Sequence, residues 1–487
     1  MGISLGAGII SGCLIAADFS FLNGLIVAWN QSSSLFYAQD QLQADNLSLI
    51  LFSTFIGMMV AILSESGSMK AVVSALSKFA KTRKRAQFTV WLMGVIIFFD
   101  DYANTLIVGN TVRPLTDHHR ISREKLAYIV DSTAAPVAAL AFITTWIGFE
   151  LTQIDAGIKS LDITTTSTSL FFKSLSYSFY PLLTLSFILL LIFTGRDFGP
   201  MKTAEDHAKK PAAPSTSLDQ NKSPLYKALL PITAMLMATL VTLLVSGYDS
   251  QASFSIAQIL GNANSYLALL IGSSVGLFLA MGLTLLTHSF QEVLNYALIG
   301  AKQIGEPLMI LVLAWVLGNV IGELNTANYL VGLTGNALQV AYLPALIFCL
   351  AAAISFATGS SFGTMSILYP IALPLSWTII QQTGIPLNDG LEILAHVISV
   401  VLAGSVFGDH CSPISDTTIL SSMATGCKHI AHVRTQLPYA ITVGVVSIAM
   451  SLAVGLGWFG SSIAFLLGLF ILFAVIRIIG KPLQSAL

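Results

Sequence analysis

Residues 406–422 read VFGDHCSPISDTTILSS. The run before them, LEILAHVISVVLAGS (391–405), is apolar enough to cross a bilayer. Asp409, His410, Ser412, Pro413, Ser415, Asp416, Thr417 and Thr418 then follow almost without a break. This sets two carboxylates at membrane depth beside a proline, which has no backbone N–H to continue a helix. Unpaired backbone groups cost several kcal/mol each in lipid, so such a break survives only where it lines a cavity or is buried in protein.

Composition fixes the class around this stretch. Of 487 residues, 55% are hydrophobic and 10% charged, with a mean hydropathy of +0.79. Soluble domains carry about 25% charged residues. The chain therefore reads as an all-α polytopic membrane protein. A net charge of −1 gives no reason to expect a nucleic-acid partner. Cys13, Cys349, Cys411 and Cys427 are scattered, with neither metal-site spacing nor a disulfide framework. Ile10-Ser11-Gly12-Cys13 resembles a lipoprotein cleavage box, but no Lys or Arg precedes it, so a first membrane helix is the reading.

Apolar runs of roughly 20 residues mark spans. They fall at 5–29, 47–63, 124–149, 168–194, 226–246, 263–287, 305–324, 391–420, 436–459 and 460–478. Lys and Arg gather in 70–85, 113–125 and 195–227, which the positive-inside rule puts in the cytoplasm. The apolar stretch 86–115 thus enters from the cytoplasm and returns to it, and 150–167 lies outside. From 303 to 427 there is no Lys or Arg, so 341–375 re-enters from outside. The expectation is about ten transmembrane helices plus two re-entrant hairpins, both termini cytoplasmic, in a bacterial inner membrane. Segments 67–80 and 326–340 read as interfacial amphipathic helices.

Sliding the chain on itself by about 260 lays DYANTLIVGNTVRPL (101–115) over SFGTMSILYPIALPL (361–375). At a larger shift DSTAAPV (131–137) lies over DHCSPIS (409–415), Asp131 on Asp409. The two halves start on opposite sides of the membrane, which makes an inverted-topology repeat. Such repeats are typical of secondary transporters, whose sites lie on discontinuous helices. The expected organisation is 1–46, an N-terminal helix and outer loop; 47–195, the first repeat, with hairpin 86–115 and broken helix 124–149; and 196–227, a flexible cytoplasmic linker. Scaffold helices (228–304), the second repeat (305–459, hairpin 341–375, broken helix 391–420) and a C-terminal helix (460–487) follow.

Ionisable residues at the bilayer centre cost on the order of 3 kcal/mol each on insertion scales, so Asp131, Asp409 and Asp416 imply a bound cation or proton. Pro136 and Pro413 are read as the breaks that free carbonyls for cation binding. One composite site joins Asp100, Asp101, Asn104 and Thr105 at the cytoplasmic hairpin tip to Asp131, Ser132 and Thr133; of the adjacent acids Asp101, which aligns with Ser361, is read as the ligand and Asp100 as structural. The second joins Thr358, Gly359, Ser360, Ser361 and Thr364 at the outer tip to Asp409, His410, Ser412, Asp416 and Thr417. Carboxylate, amide and hydroxyl oxygens are hard ligands suited to Na⁺ or H⁺. Asp101, Asn104, Thr105, Asp131, Thr133, Ser361, Thr364, Asp409, Ser412 and Asp416 are the ion-binding candidates. Thr358, Gly359, Ser360, His410 and Thr417 are the solute-binding ones. Helix capping by the carboxylates and back-bonding of Ser and Thr to their own helix compete with these roles. His118, His119, His429 and His432 read as residues of cytoplasmic ends.

FFDDYANTLIVGNTVRPL, REKLAYIVDSTAAPVA and GDHCSPISDTTILSS resemble signature segments of the NhaC family of sodium/proton antiporters. The resemblance covers roughly 45–195 and 305–460. It implies a homodimer in which a transport domain with two opposed hairpins moves against a scaffold. It implies Na⁺/H⁺ antiport, or Na⁺-linked exchange or uptake of a malate- or lactate-type carboxylate or an amino acid. In the wider superfamily, tips with Ser, Asn and Thr hold Na⁺ beside a carboxylate substrate. Asn104-Thr105 and Ser360-Ser361 to Thr364 are similar to those tips without an intact Ser-Asn-Thr. The leading expectation is a secondary transporter exchanging Na⁺ for H⁺ by alternating access. The alternative is a Na⁺-coupled carrier of a small organic solute. No nucleophile–base pair suggests an enzyme, and no cofactor is expected beyond the transported ions.

Overall fold

The computed structural model describes the chain apart from residues 1, 39–40, 160, 162, 164, 209–223, 249–262, 325–328, 330–338 and 483–487. Most of the 326–340 segment therefore lies outside the described residues. The elements are helices α1 (Gly2–Ala16), α2 (Phe21–Ser33), α3 (Ala44–Glu65), α4 (Ser68–Ser77), α5 (Arg83–Ile96), α6 (Asp101–Thr111), α7 (Arg113–His118), α8 (Arg123–Ala138), α9 (Thr145–Lys159), α10 (Ser167–Ser174), α11 (Phe179–Thr194) and α12 (Gly199–His207). The second half holds α13 (Tyr226–Gly247), α14 (Ser265–Leu285), α15 (Phe290–Gln303), α16 (Gly305–Glu323), α17 (Leu343–Thr358), α18 (Ser361–Gln382), α19 (Leu387–Cys411), α20 (Asp416–Thr425), α21 (His429–Gly455) and α22 (Ser461–Ile479). Among the described residues nine helices are long and apolar enough to cross a membrane, or eleven if two bent pairs count as spans.

Both hairpins form where the apolar pattern is interrupted by a capping residue. Asp100 accepts from the Ala103 N–H at the start of α6, and Ser360 accepts from the Gly363 N–H at the start of α18. These caps satisfy N–H groups that a helix start leaves without partners. The α5/α6 turn is residues 97–100, and the α17/α18 turn is residues 359–360. Gly359 takes φ +67°, which L side chains rarely adopt, and a Cβ there would stand 2.6 Å from the Ile414 carbonyl. Hairpin α17/α18 packs on α19 with backbone-close contact. A Cβ on Gly404 would meet Phe348 O at 2.5 Å, and one on Gly408 would meet Ala352 O at 2.3 Å. Two small residues four apart let helices approach this closely in a membrane.

The repeat shows in reciprocal packing. The inner arm of the first hairpin, α6, lies against α8 of its own repeat and α20 of the other; the inner arm of the second, α18, lies against α19 of its own repeat and α9 of the other. Helices α14 and α15 pack on α3, and α13 packs on α14 as an outer layer. Leu244, Val245, Ile463, Leu466 and Phe470 are exposed on the outside of α13 and α22, as lipid-facing positions must be.

Several expectations need correction. Pro136 sits inside α8, and the helix breaks later, over residues 139–144; only Pro413 lies in a break, between α19 and α20. Residues 150–159 are helix α9 rather than an outer loop, and Glu150 to Ile154 are buried. The N-terminal apolar run is two helices bent by 119° at Ala17–Ser20. The expected linker is structured over 196–207: Arg196-Asp197 pairs antiparallel with Lys481-Pro482, and α12 packs on α8 and α21. Specific partners hold it there. Glu205 accepts from Ser122 N–H at 2.7 Å and pairs with Arg83. Buried Lys125 and Asp197 meet at 2.5 Å, with Tyr439 OH donating to the same carboxylate at 2.6 Å. Polar composition alone reads this segment as solvated; the buried partners on α8 and α21 override it.

Candidate functional site

Both hairpin tips line one partly open cavity of about 440 Å³, with α3 and the α15–α16 junction on its far side. Its polar wall is Ser64, Glu65, Asp100, Tyr102, Gln303, Ser360 and Asp416, and among the described residues no Lys or Arg lines it. Helices α6, α18 and α20 all start at this wall, so three helix N-termini converge there. Each carries partial positive charge from its backbone N–H groups.

At the first tip the adjacent acids differ. Asp100 caps α6 and also accepts from Thr145 OH at 3.1 Å. Asp101 keeps a buried oxygen, Oδ1, with no hydrogen-bond partner. Asn104 binds the tip together: its Nδ2 lies 2.6, 3.0 and 3.1 Å from Gly94 O, Ile97 O and Thr133 O, which share its two N–H groups. Its Oδ1 and the Thr105 hydroxyl oxygen are buried without partners. Three hard oxygens, on Asp101, Asn104 and Thr105, are thus uncommitted near the start of α6. The Thr133 hydroxyl only bonds back to Ile129 O and Val130 O, and it is the Thr133 carbonyl that meets the tip.

At the second tip Ser360 is a cap, and Thr364 donates back to Ser360 O at 2.9 Å. Ser361 donates to Ser405 O at 3.2 Å, and Ser412 donates to Phe356 O at 2.8 Å. Thr358 is exposed and bonds to Ile354 O. Asp409 is buried and accepts from Thr417 OH at 2.8 Å, whereas Asp416 is exposed on the cavity wall. The two acids of the opening stretch therefore face different surroundings.

Asp131 does not join the first tip. Its Oδ2 accepts from Gln436 Nε2 at 2.5 Å and Thr418 OH at 3.2 Å, with His432 Nε2 at 3.4 Å. Gln436 also donates to His410 O, and His410 Nδ1 lies 3.0 Å from Tyr180 OH. His432 is fully buried, not a surface residue. Gln436 was not singled out by sequence reasoning, and His432 was placed at a cytoplasmic end instead of beside Asp131. The available signal was His432 and Gln436 four apart on one helical face, masked by the neighbouring Lys428 and Arg434.

Opposed hairpins meeting broken helices around one cavity are the architecture of a secondary transporter. The chain belongs to the Na⁺/H⁺ antiporter family, which it matches over residues 137–461. It is 32% identical to an uncharacterized protein of Haemophilus influenzae over 94% of this chain and 88% of that one. It is 31% identical to the malate-2H⁺/Na⁺-lactate antiporter of Bacillus subtilis, over 39% of this chain and 38% of the relative. It is 36% identical to the arginine/ornithine antiporter ArcD of Halobacterium salinarum, over 23% and 22% respectively. In fold it is similar to the Alcanivorax borkumensis YdaH transporter, with a TM-score of 0.55 and 15% identity over 84% of this chain and 85% of that one. It is also similar to Neisseria gonorrhoeae MtrF, with a TM-score of 0.59 and 14% identity over 90% and 85%.

Proposed function

We propose that this protein is a Na⁺-coupled exchanger of a small solute bearing an amino group, with H⁺ as a further coupling ion. The observation that carries the reading is the cavity of about 440 Å³ bounded by both tips. That volume falls in the usual range for a small organic ligand and far exceeds an ion. Its wall holds carboxylates and helix N-termini but, among the described residues, no cationic side chain, a pairing that suits an ammonium and a carboxylate on the same molecule. A dicarboxylate would meet the carboxylates Glu65 and Asp416 in the same wall. Na⁺ would take the oxygens of Asp101, Asn104 and Thr105 beneath the solute, with Asp409 and Thr417 as the second cluster. The two relatives named as antiporters are named for organic solutes, which supports an organic cargo, and the one named for arginine and ornithine supports an amino-bearing one. We further propose membership of the NhaC branch, which the three signature segments support, and an inner membrane with both termini cytoplasmic, which the distribution of Lys and Arg supports.

Bare Na⁺/H⁺ exchange is the second reading, favoured by the uncommitted oxygens of the first tip and by the family's name. Purified protein in liposomes under clamped voltage separates the two. Labelled Na⁺ uptake is measured with no organic solute, then with each common amino acid supplied outside or preloaded. The proposal expects uptake to require one class of amino acid and to fall in Asp416→Asn. Full Na⁺/H⁺ exchange without solute would establish the second reading, and silence throughout would refute both.

A further inference from the structure

Glu150 is a carboxyl group that neither the tips nor the cavity uses. It lies on α9, is 1% exposed, and its Oε2 has no hydrogen-bond partner. None of the ion pairs among the described residues involves it. A carboxylate buried without a counter-charge is neutralised instead of staying ionised.

The surroundings bear this out. On α18, Tyr369 lies within electrostatic reach of Glu150, and its hydroxyl donates to Ile398 O at 3.2 Å. On α14, Tyr266 OH reaches Leu151 O at 3.5 Å. On α10, Lys173 is engaged with Glu392. The acids Asp45 and Glu65 of α3 and Glu323 of α16 lie at helix ends, and Gln31 donates to Glu323. On α8, Arg123, Glu124 and Lys125 sit in the first turn, away from the α9 end, and Asp131 is held by Gln436. Gln153, one turn along α9, is buried with its Nε2 unpartnered. A sodium ion would need several oxygens here; a proton needs one.

Helix α9 also ties Glu150 to both tips. Thr145 N–H donates to Phe99 O at 3.0 Å, and Thr145 OH donates to Asp100. Trp146 and Phe149 pack on Phe362, just past the second tip, at 4.9 and 5.2 Å between ring centroids. From Thr145 to Glu150 is about 7.5 Å of helix. We infer that Glu150 is a proton-binding site separate from the tip carboxylates, and that it carries the coupling proton of the exchange. The inference rests on the proposed coupling to H⁺, but the site has a readout of its own.

The test uses the full chain, as wild type, Glu150→Gln and Glu150→Asp, with two measurements. Infrared spectroscopy in lipid reads the C=O band of a protonated carboxyl group through a pH titration. The expected result is a wild-type band that is lost in Glu150→Gln and shifted in Glu150→Asp. The band unchanged in both variants overturns the inference; if Glu150→Gln does not fold, Glu150→Asp decides by the shift. Proton flux into liposomes after a pulse of Na⁺ together with the amino acid that supports uptake is then expected to fall about tenfold or more in Glu150→Gln. Wild-type flux and pH profile in that variant also overturn it. Absence of flux in the wild type rejects the proposed coupling, and the infrared band still decides whether Glu150 holds a proton.

Discussion

Asn104→Ala tests whether the first tip is held as described. The Asn104 amide nitrogen serves three carbonyls from three places: Gly94 near the end of α5, Ile97 in the turn, and Thr133 on α8. The side chain is buried, so no water replaces it. The amide has two N–H groups to share among the three carbonyls, so at a net worth of about 1 kcal/mol per hydrogen bond the substitution should cost about 2 kcal/mol. Since 1.4 kcal/mol is a factor of ten, that is roughly a thirtyfold shift toward the unfolded state. Asn104→Asp sharpens the test. It keeps the shape but turns a carboxylate oxygen toward three carbonyl oxygens, so the loss should be at least as large. Added Na⁺ should reduce the loss in Asn104→Asp, because the carboxylate and the carbonyls together offer a hard-oxygen cation site, and not in Asn104→Ala. Equilibrium unfolding in mixed detergent micelles, with Na⁺ exchanged for choline, measures both. An Asn104→Ala protein within about 0.5 kcal/mol of wild type, the range of an ordinary surface change, would refute the role given to this side chain.

Two further perturbations probe the frame and the second tip. Lys125→Met strands Asp197 with only Tyr439 as partner, and should destabilise by about 3–5 kcal/mol; Lys125→Met with Asp197→Leu should recover much of this in the same unfolding assay, and additive losses would mean that the pair is not coupled. Gly359→Val forces a branched side chain into a left-handed backbone position against Ile414 O, at a cost on the order of 1–3 kcal/mol. Transport should fall sharply while expression persists, and normal uptake would show that this contact is dispensable.

Much of the architecture was legible in the chain because its causes are local. Apolar length sets which segments can span. A proline at 413 removes an N–H where the break occurs. Asp100 and Ser360 cap the inner arms of the two hairpins at the same offset that aligns DYANTLIVGNTVRPL with SFGTMSILYPIALPL. Which helix each acid faces is not local. Asp131 aligns with Asp409 in the repeat, yet its bonds go to Thr418 and Gln436, 287 and 305 positions away. Asp416 turns to the cavity while Asp409, seven residues earlier, is buried against Thr417. Glu150, His432 and much of the segment 196–207 are ionisable, and an ionisable residue in one dimension reads as solvated. Their burial depends on what the opposite repeat and α21 bring to them. Hydropathy and capping act within a few residues of chain, whereas the partners of a buried polar group are set by the packing of helices hundreds of residues apart.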